Sequence, residues 1–261
     1  MRMGLKPNTN QLNRGIDVDS VDGLKLWLKQ GSTVRENDGS AAENGDLVKF
    51  WDDSSAQSND FTQSSGSRQP RFINTAGLVF DGSETLSNTD RMSCSSTISA
   101  LDFTLFVVLD LSNASPTDEM FISEFGNTKS RISLLQGGGA DRIQLRFDNG
   151  ATAEICDLED LSQNIPTDRF LLTVKRNSAT QNNIDVRFDG VDVTDLSDVD
   201  TGTDANNDSA GISFVFDTLG VGGANSLEYQ GYISEVVFYD TALADLTMSR
   251  VEKDIMTRNN L

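Results

Sequence analysis

Histidine is absent from the 261 residues, which removes the commonest general base, the commonest zinc ligand and the usual pH switch near neutrality. Cysteine occurs twice, as Cys94 and Cys156. That spacing fits no close-set zinc or redox motif and leaves open either one disulfide or two reduced thiols. Proline occurs four times against 21 glycines and 14 phenylalanines, the balance of a turn-rich globular chain rather than a disordered one. No apolar run approaches the ~18 residues of a membrane span. Arg2 and Lys6 are followed by no apolar stretch, so a standard signal peptide is not expected. Positive charge is scarce, 21 basic residues against 40 acidic, for a formal charge of −19. Such a surface repels nucleic acid and anionic membranes, and neither is expected as a partner.

What is present reads as strands. Phe103 to Leu111 is apolar on both faces and predicts a central strand. Leu24, Leu26 and Leu28 share one face of a short strand and Trp27 the other. Further strand-like runs follow at close spacing, with turn signals at Gly126-Asn127, Asp148-Asn149-Gly150 and Asp189-Gly190. From Tyr232 to Asp240 the sequence alternates, with Tyr232, Ser234, Val236 and Phe238 on one face and Ile233, Glu235, Val237 and Tyr239 on the other. The period then lengthens. Thr241 is placed to cap a helix with Asp245 in its first turn and Leu243, Leu246, Val251 and Ile255 on its apolar face. The expected fold is all-β, a two-sheet antiparallel β-sandwich with a short C-terminal helix. A sandwich of this length buries roughly 70–75% of its extended-chain surface and folds without a disulfide or metal.

Two groups of motifs carry a resemblance. Gly231, Ile233, Glu235, Val236, Tyr239, Ala242 and Leu243 form the first. Leu26-Trp27-Leu28, Trp51-Asp52-Asp53-Ser54, Asn59-Asp60, Arg68-Gln69-Pro70 and Gly77-Leu78-Val79-Phe80-Asp81-Gly82-Ser83 form the second. In this order they resemble the LamG-like, concanavalin A-like jelly rolls, and they bracket residues 23–255. The sequence departs from the family pattern at Ser234, where the family has an acid, and between Ser54 and Asp60, where its glycines are missing. The resemblance implies a calcium at the sandwich rim held by Asp52, Asp53, Asp60 and Asp81, with Glu235 as a further ligand. By residue type alone, the Asp-rich stretches Asp17–Gly23 and Asp198–Asp204 read as turns rather than EF-hand loops.

Catalysis is not expected. Glycosidases need two carboxylates flanking one bond, and the nearest pair, Glu154 and Asp157, falls on opposite faces of a strand. For sugar contact, Trp27 and Trp51 sit in strand patterns and read as core. Phe61 and Tyr229 border loops and are the expected stacking residues for carbohydrate.

The chain divides into an arm, residues 1–16, and a jelly-roll body, residues 17–261. The arm carries Arg2, Lys6 and Arg14 and no acid, so all 40 acidic residues lie in the body. Those three cations are the expected anchor to a partner. The resemblance extends to structural proteins of tailed bacteriophages. It implies a non-catalytic virion structural, decoration or appendage protein, displayed on the virion surface within a homo- or hetero-oligomeric assembly. The arm would bind other virion proteins while the lectin-like body contacts host surface glycan. A free-standing carbohydrate-binding lectin domain of a cellular or secreted protein, extracellular in location, is the alternative, with a glycoside hydrolase the less favoured third reading.

Overall fold

The computed structural model describes residues 15–81, 89–112, 118–125, 130–135, 142–148, 153–159, 165–177, 184–193, 199–200, 212–222 and 227–261. Arg2, Lys6 and Arg14 of the expected arm lie outside these, as do Asp198, Asp204, Asn127, Gly150 and the side chains of Glu154, Cys156 and Asp157.

In chain order the strands are β1 (Leu24–Leu28), β2 (Val34–Arg35), β3 (Phe50–Trp51), β4 (Phe61–Thr62) and β5 (Arg71–Ile73). Next come β6 (Gly77–Asp81), β7 (Met92–Ala100), β8 (Phe103–Asp110), β9 (Asp118–Ser123) and β10 (Arg131–Leu135). They are followed by β11 (Arg142–Asp148), β12 (Ala153–Glu159), β13 (Phe170–Arg176), β14 (Ile184–Phe188) and β15 (Val191–Asp192). The last are β16 (Val199–Asp200), β17 (Phe214–Leu219), β18 (Val221–Gly222), β19 (Leu227–Glu228) and β20 (Gln230–Tyr239), before helix α1 (Asp245–Asn259).

These form two large antiparallel sheets. One has the order β15-β14-β13-β8-β20-β6-β5, with β1 also on β20. The other runs β16-β12-β11-β10-β9-β17-β7-β4-β3-β2, and β18 and β19 make a small separate ribbon. The main core lies between the sheets and includes Phe103, Leu105, Val107, Leu109, Phe214, Phe216 and Phe238. A second core lies on the outer face of the first sheet, where Trp27, Phe106, Val108, Val237 and Tyr239 meet Met248, Val251 and Ile255 of α1. The architecture is therefore three-layered, sheet on sheet on helix. That explains why β8 is apolar on both faces: its odd-numbered residues fill one core, and Phe106 and Val108 fill the other.

Strand β20 is the axis of the first sheet. One edge pairs with β8 along its length. The other edge is shared: β6 takes Gln230 to Ile233, and β1 takes Val236 to Tyr239. Between the two partners sits a β-bulge, since Ile233 pairs with Leu109 and Glu235 with the next residue, Val108. Ser234 is the extra residue. The bulge corrects the expected alternation: Ile233 lies in the inter-sheet core with Val236 and Phe238, instead of sharing a face with Val237. A second bulge between Leu24 and Leu26 likewise turns Leu24 to the helix side, away from Leu26 and Leu28.

Helix α1 starts later than expected. Its N-cap is Ala244, with no side-chain cap. The Thr104 hydroxyl donates to the Thr241 carbonyl and accepts from the Leu243 amide, both at 2.9 Å, which holds those residues in an extended approach. Leu246 is exposed, and the buried stripe is Met248, Val251, Glu252, Ile255 and Asn259, the i, i+3, i+4, i+7 spacing of a face laid on a sheet. Asn260 ends the helix in the left-handed conformation, φ 56° and ψ 42°, a conformation that asparagine tolerates well. No helix among the described residues is long and apolar enough to cross a membrane.

Candidate functional site

The split edge of β20 leaves a gap, and a polar cleft of about 420 Å³ opens there. Its walls come from five places: Lys29 and Gln30 just after β1, Asn74 and Thr75 in the β5–β6 turn, Arg169 before β13, Glu235 at the bulge, and Arg258 to Asn260 at the end of α1. Gly77 lets the β5–β6 turn approach. Its φ is +104°, and a Cβ there would lie 2.6 Å from Ser234 Cα. With its amide turned to the orientation that satisfies both ends, Gln30 donates to the Asn74 carbonyl and accepts from Gly77 N, each at 3.2 Å, and so fixes the same turn.

Glu235 is the hub and is only 3% exposed. Its Oε1 accepts from Trp27 Nε1 at 2.8 Å and from Arg258 Nη2 at 2.7 Å, and its Oε2 accepts from Asn259 Nδ2 at 2.6 Å. Asn259 Oδ1 in turn accepts from Arg169 Nη2 at 2.8 Å. Arg169 also donates to the Thr75 carbonyl at 2.8 Å and to Ser234 Oγ at 2.9 Å, and Ser234 Oγ donates to the Ala76 carbonyl at 2.6 Å. One continuous network thus ties helix, bulge and turn. Burial alone would lower the Arg258 pKa, but hydrogen bonds and charge from Glu235 and Asp254 outweigh it and raise it. Burial lowers the pKa of Arg169, against the more distant charges of Asp110 and Glu235. Lys29 Nζ stands 3.7 Å over the Trp27 ring, with the Arg258 guanidinium 5.3 Å from that ring.

The expected calcium ligands do not form one site. Asp52 is held by Arg35 through two 2.6 Å hydrogen bonds. Asp53 accepts from Trp27 N, Ser55 N, Ser55 Oγ and Asn59 N within 2.9 Å, and so ties its own loop to β1. Asp60 Oδ1 caps Asp53 N at 2.8 Å. Asp81 ends β6 beside Asp90, whose pKa burial and the Asp81 charge push up to about 7. Glu235 belongs to the cleft. Among the described residues no group of three or more Asp, Glu, Cys or His side chains is arranged to hold a metal. The aspartates serve loop geometry, as Asx residues do in turns.

The expected sugar-stacking residues also need correction. Phe61 and Tyr229 are both 0% exposed. Phe61 pairs with Trp51 and Cys94 in the second sheet and points into the sandwich. Tyr229 packs edge-on against Phe80 and Phe121 and donates to the Tyr232 carbonyl at 3.0 Å. Bordering a loop did not place either ring outside. Trp27 and Trp51 are core residues, as their strand patterns indicated, and Cys94 is a buried free thiol. Of the cleft residues, sequence reasoning singled out Glu235 alone. An asparagine just past an amphipathic helix marks a helix end, a signal that would have pointed to Asn260.

No protein-family model and no curated protein matches this sequence. Solved structures do share its fold. The binding domain of botulinum neurotoxin serotype G superposes with a TM-score of 0.55 at 12% identity, over 90% of this chain and 51% of that one. Trypanosoma rangeli sialidase in complex with 2,3-difluorosialic acid gives 0.53 at 13%, over 90% of this chain and 34% of that one. The binding domain of Paraclostridial Mosquitocidal Protein 1 gives 0.50 at 14%, over 88% and 52%. The chain thus spans about half the length of the two toxin domains. At such identities the likeness is one of fold, a concanavalin A-like jelly roll.

Proposed function

We propose that this domain is a non-catalytic carbohydrate-binding module whose sugar site is the cleft beside the β20 bulge. The observation that carries the reading is the cleft's construction. Amide, hydroxyl and cationic groups converge on it from five parts of the chain and are held by a buried hydrogen-bond network. Preorganised polar groups in a concave site are what selective recognition of hydroxyl-rich ligands needs. The fold supports this reading by analogy, since it is shared with toxin binding domains and with a sialidase that holds a sugar analogue. Hydrolysis is disfavoured because the cleft offers one carboxylate, Glu235, with both oxygens already engaged, where a glycosidase uses two.

A glycan array probed with the chain and with Asn74→Ala tests this. Asn74 lines the cleft and its side chain is exposed, so the fold should be unaffected. We expect defined glycan binding that weakens about fivefold to tenfold on losing one or two hydrogen bonds. Binding that ignores the change, or no binding at all, would refute the assignment.

The charge contrast between arm and body favours a second reading compatible with the first. Residues 1–16 would dock onto a larger assembly, such as a virion surface, with the jelly roll facing host glycan. Gly15 lies against Asp254 of α1, and Ile16 N reaches the Arg250 carbonyl at 3.5 Å, so the arm would depart from the helix side. Deleting Met1 to Arg14 should abolish incorporation and leave folding intact; unchanged incorporation would sink this reading.

A further inference from the structure

We infer that the cleft selects a sugar carrying a carboxylate, held by Lys29 and Arg169; this rests on the carbohydrate-binding reading of the same cleft. The inference starts from a charge anomaly. Acidic residues outnumber basic ones 40 to 21, and several cations elsewhere have found acids: Lys25 pairs with Asp240, Arg35 with Asp52, and Lys175 with Asp185 and Asp245. In the cleft, Arg258 is paired with Glu235 at 2.7 Å and, away from the lining, with Asp254. Lys29 and Arg169 remain, and neither has a carboxylate in salt-bridge range among the described residues. Among the described lining side chains three cations therefore face one carboxylate, the reverse of the balance in the sequence as a whole.

Arg169 is partly withdrawn from water without a counter-ion. Its guanidinium is bonded only to neutral oxygens, and its Nε is buried with no hydrogen-bond partner. A desolvated cation lacking an anion is costly, and a ligand carboxylate would relieve that cost. Lys29 has a soft restraint, the Trp27 ring beneath it, and can turn toward an anion. The end of α1 opposes this with its partial negative charge, but Arg258 lies in that last turn and offsets it. A neutral sugar would use the amides and leave both cations unanswered; a carboxylated sugar answers them. Long, dense polyanions are disfavoured by the −19 charge of the chain, which points to isolated or terminal acidic sugars.

The test uses the full chain and glycans ending in a hexuronic acid or another carboxylated sugar, each beside its methyl ester. The ester keeps the shape and removes the charge. Binding of acid over ester by about tenfold is expected, the worth of a charged hydrogen bond over a neutral one. Lys29→Gln should reduce that ratio to about threefold or less, and ~0.5 M salt should act in the same direction. Equal binding of acid and ester would overturn the inference and leave the carbohydrate reading standing. Failure of every glycan, acid or ester, would overturn the carbohydrate reading itself. An acid preference that survives both Lys29→Gln and salt would place the anion contact elsewhere and overturn the assignment to this cleft.

Discussion

Replacing Gly77 by alanine should destabilise the protein by ~3 kcal/mol or more, the range of severe backbone and packing conflicts. Two effects add. The residue sits at φ +104°, and the new methyl group would collide with the Ile233 carbonyl and with Ser234 Cα at 2.6 Å. Both obstacles are backbone atoms of β20, so no rotamer change relieves them. Either β6 leaves β20 or the bulge flattens, and either outcome opens the cleft. Gly45→Ala is the matching control. Gly45 also has positive φ, +97°, but a methyl group there would meet nothing within 4 Å, so only the conformational cost of ~1 kcal/mol should appear. Urea midpoints of the two variants check this. Equal shifts would mean that the contact with β20 does not matter.

Replacing Glu235 by alanine should cost about 3 kcal/mol, the low end for breaking a buried ion pair. The low end applies because Arg258 is 33% exposed and keeps Asp254 as a second partner. Trp27 Nε1 and Asn259 Nδ2 also lose their acceptor. For a domain of this size the shift in thermal midpoint is on the order of 10 °C. Glu235→Gln keeps one acceptor oxygen and should lose less. Indole fluorescence offers a second readout, since Trp27 is tied to Glu235 while Trp51 is bonded to the Lys29 carbonyl. A Glu235→Ala protein as stable as the parent would mean that the hub does not hold the helix end.

The sequence displayed some of this plainly. Phe103 to Leu111 is apolar on both faces because both faces are covered, and that was legible without a structure. The helix after β20 was legible in kind but not in detail. Its start is set by the hydroxyl of Thr104, 139 residues before Leu243, and no local pattern contains that contact. The bulges at Ser234 and Lys25 each shift a strand by one residue in its pairing with β8 or β20, and periodicity counted along the chain cannot register a shift that exists only relative to a distant partner. Phe61 and Tyr229 show the same limit from another side, since proximity to a loop in sequence does not determine which way a ring points. The cleft was least legible. Arg169 and Asn259 are 90 residues apart, and neither has any local feature that marks it.

The walls of the cleft are drawn from residue 29 at one end to residue 260 at the other. A fragment shorter than residues 29–260 would lack part of them, so the site comes into being only once that whole stretch has been threaded into place. Assembly of such distant parts is slow compared with closing local hairpins. A ligand bound there would favour the completed fold over every partly assembled one and raise the midpoint of unfolding in proportion to the logarithm of its concentration. Shortening the chain by even its last four residues would remove Arg258 and Asn259, and with them both the tether of Glu235 and one wall of the site. Binding would then report whether residues 29–260 have folded together.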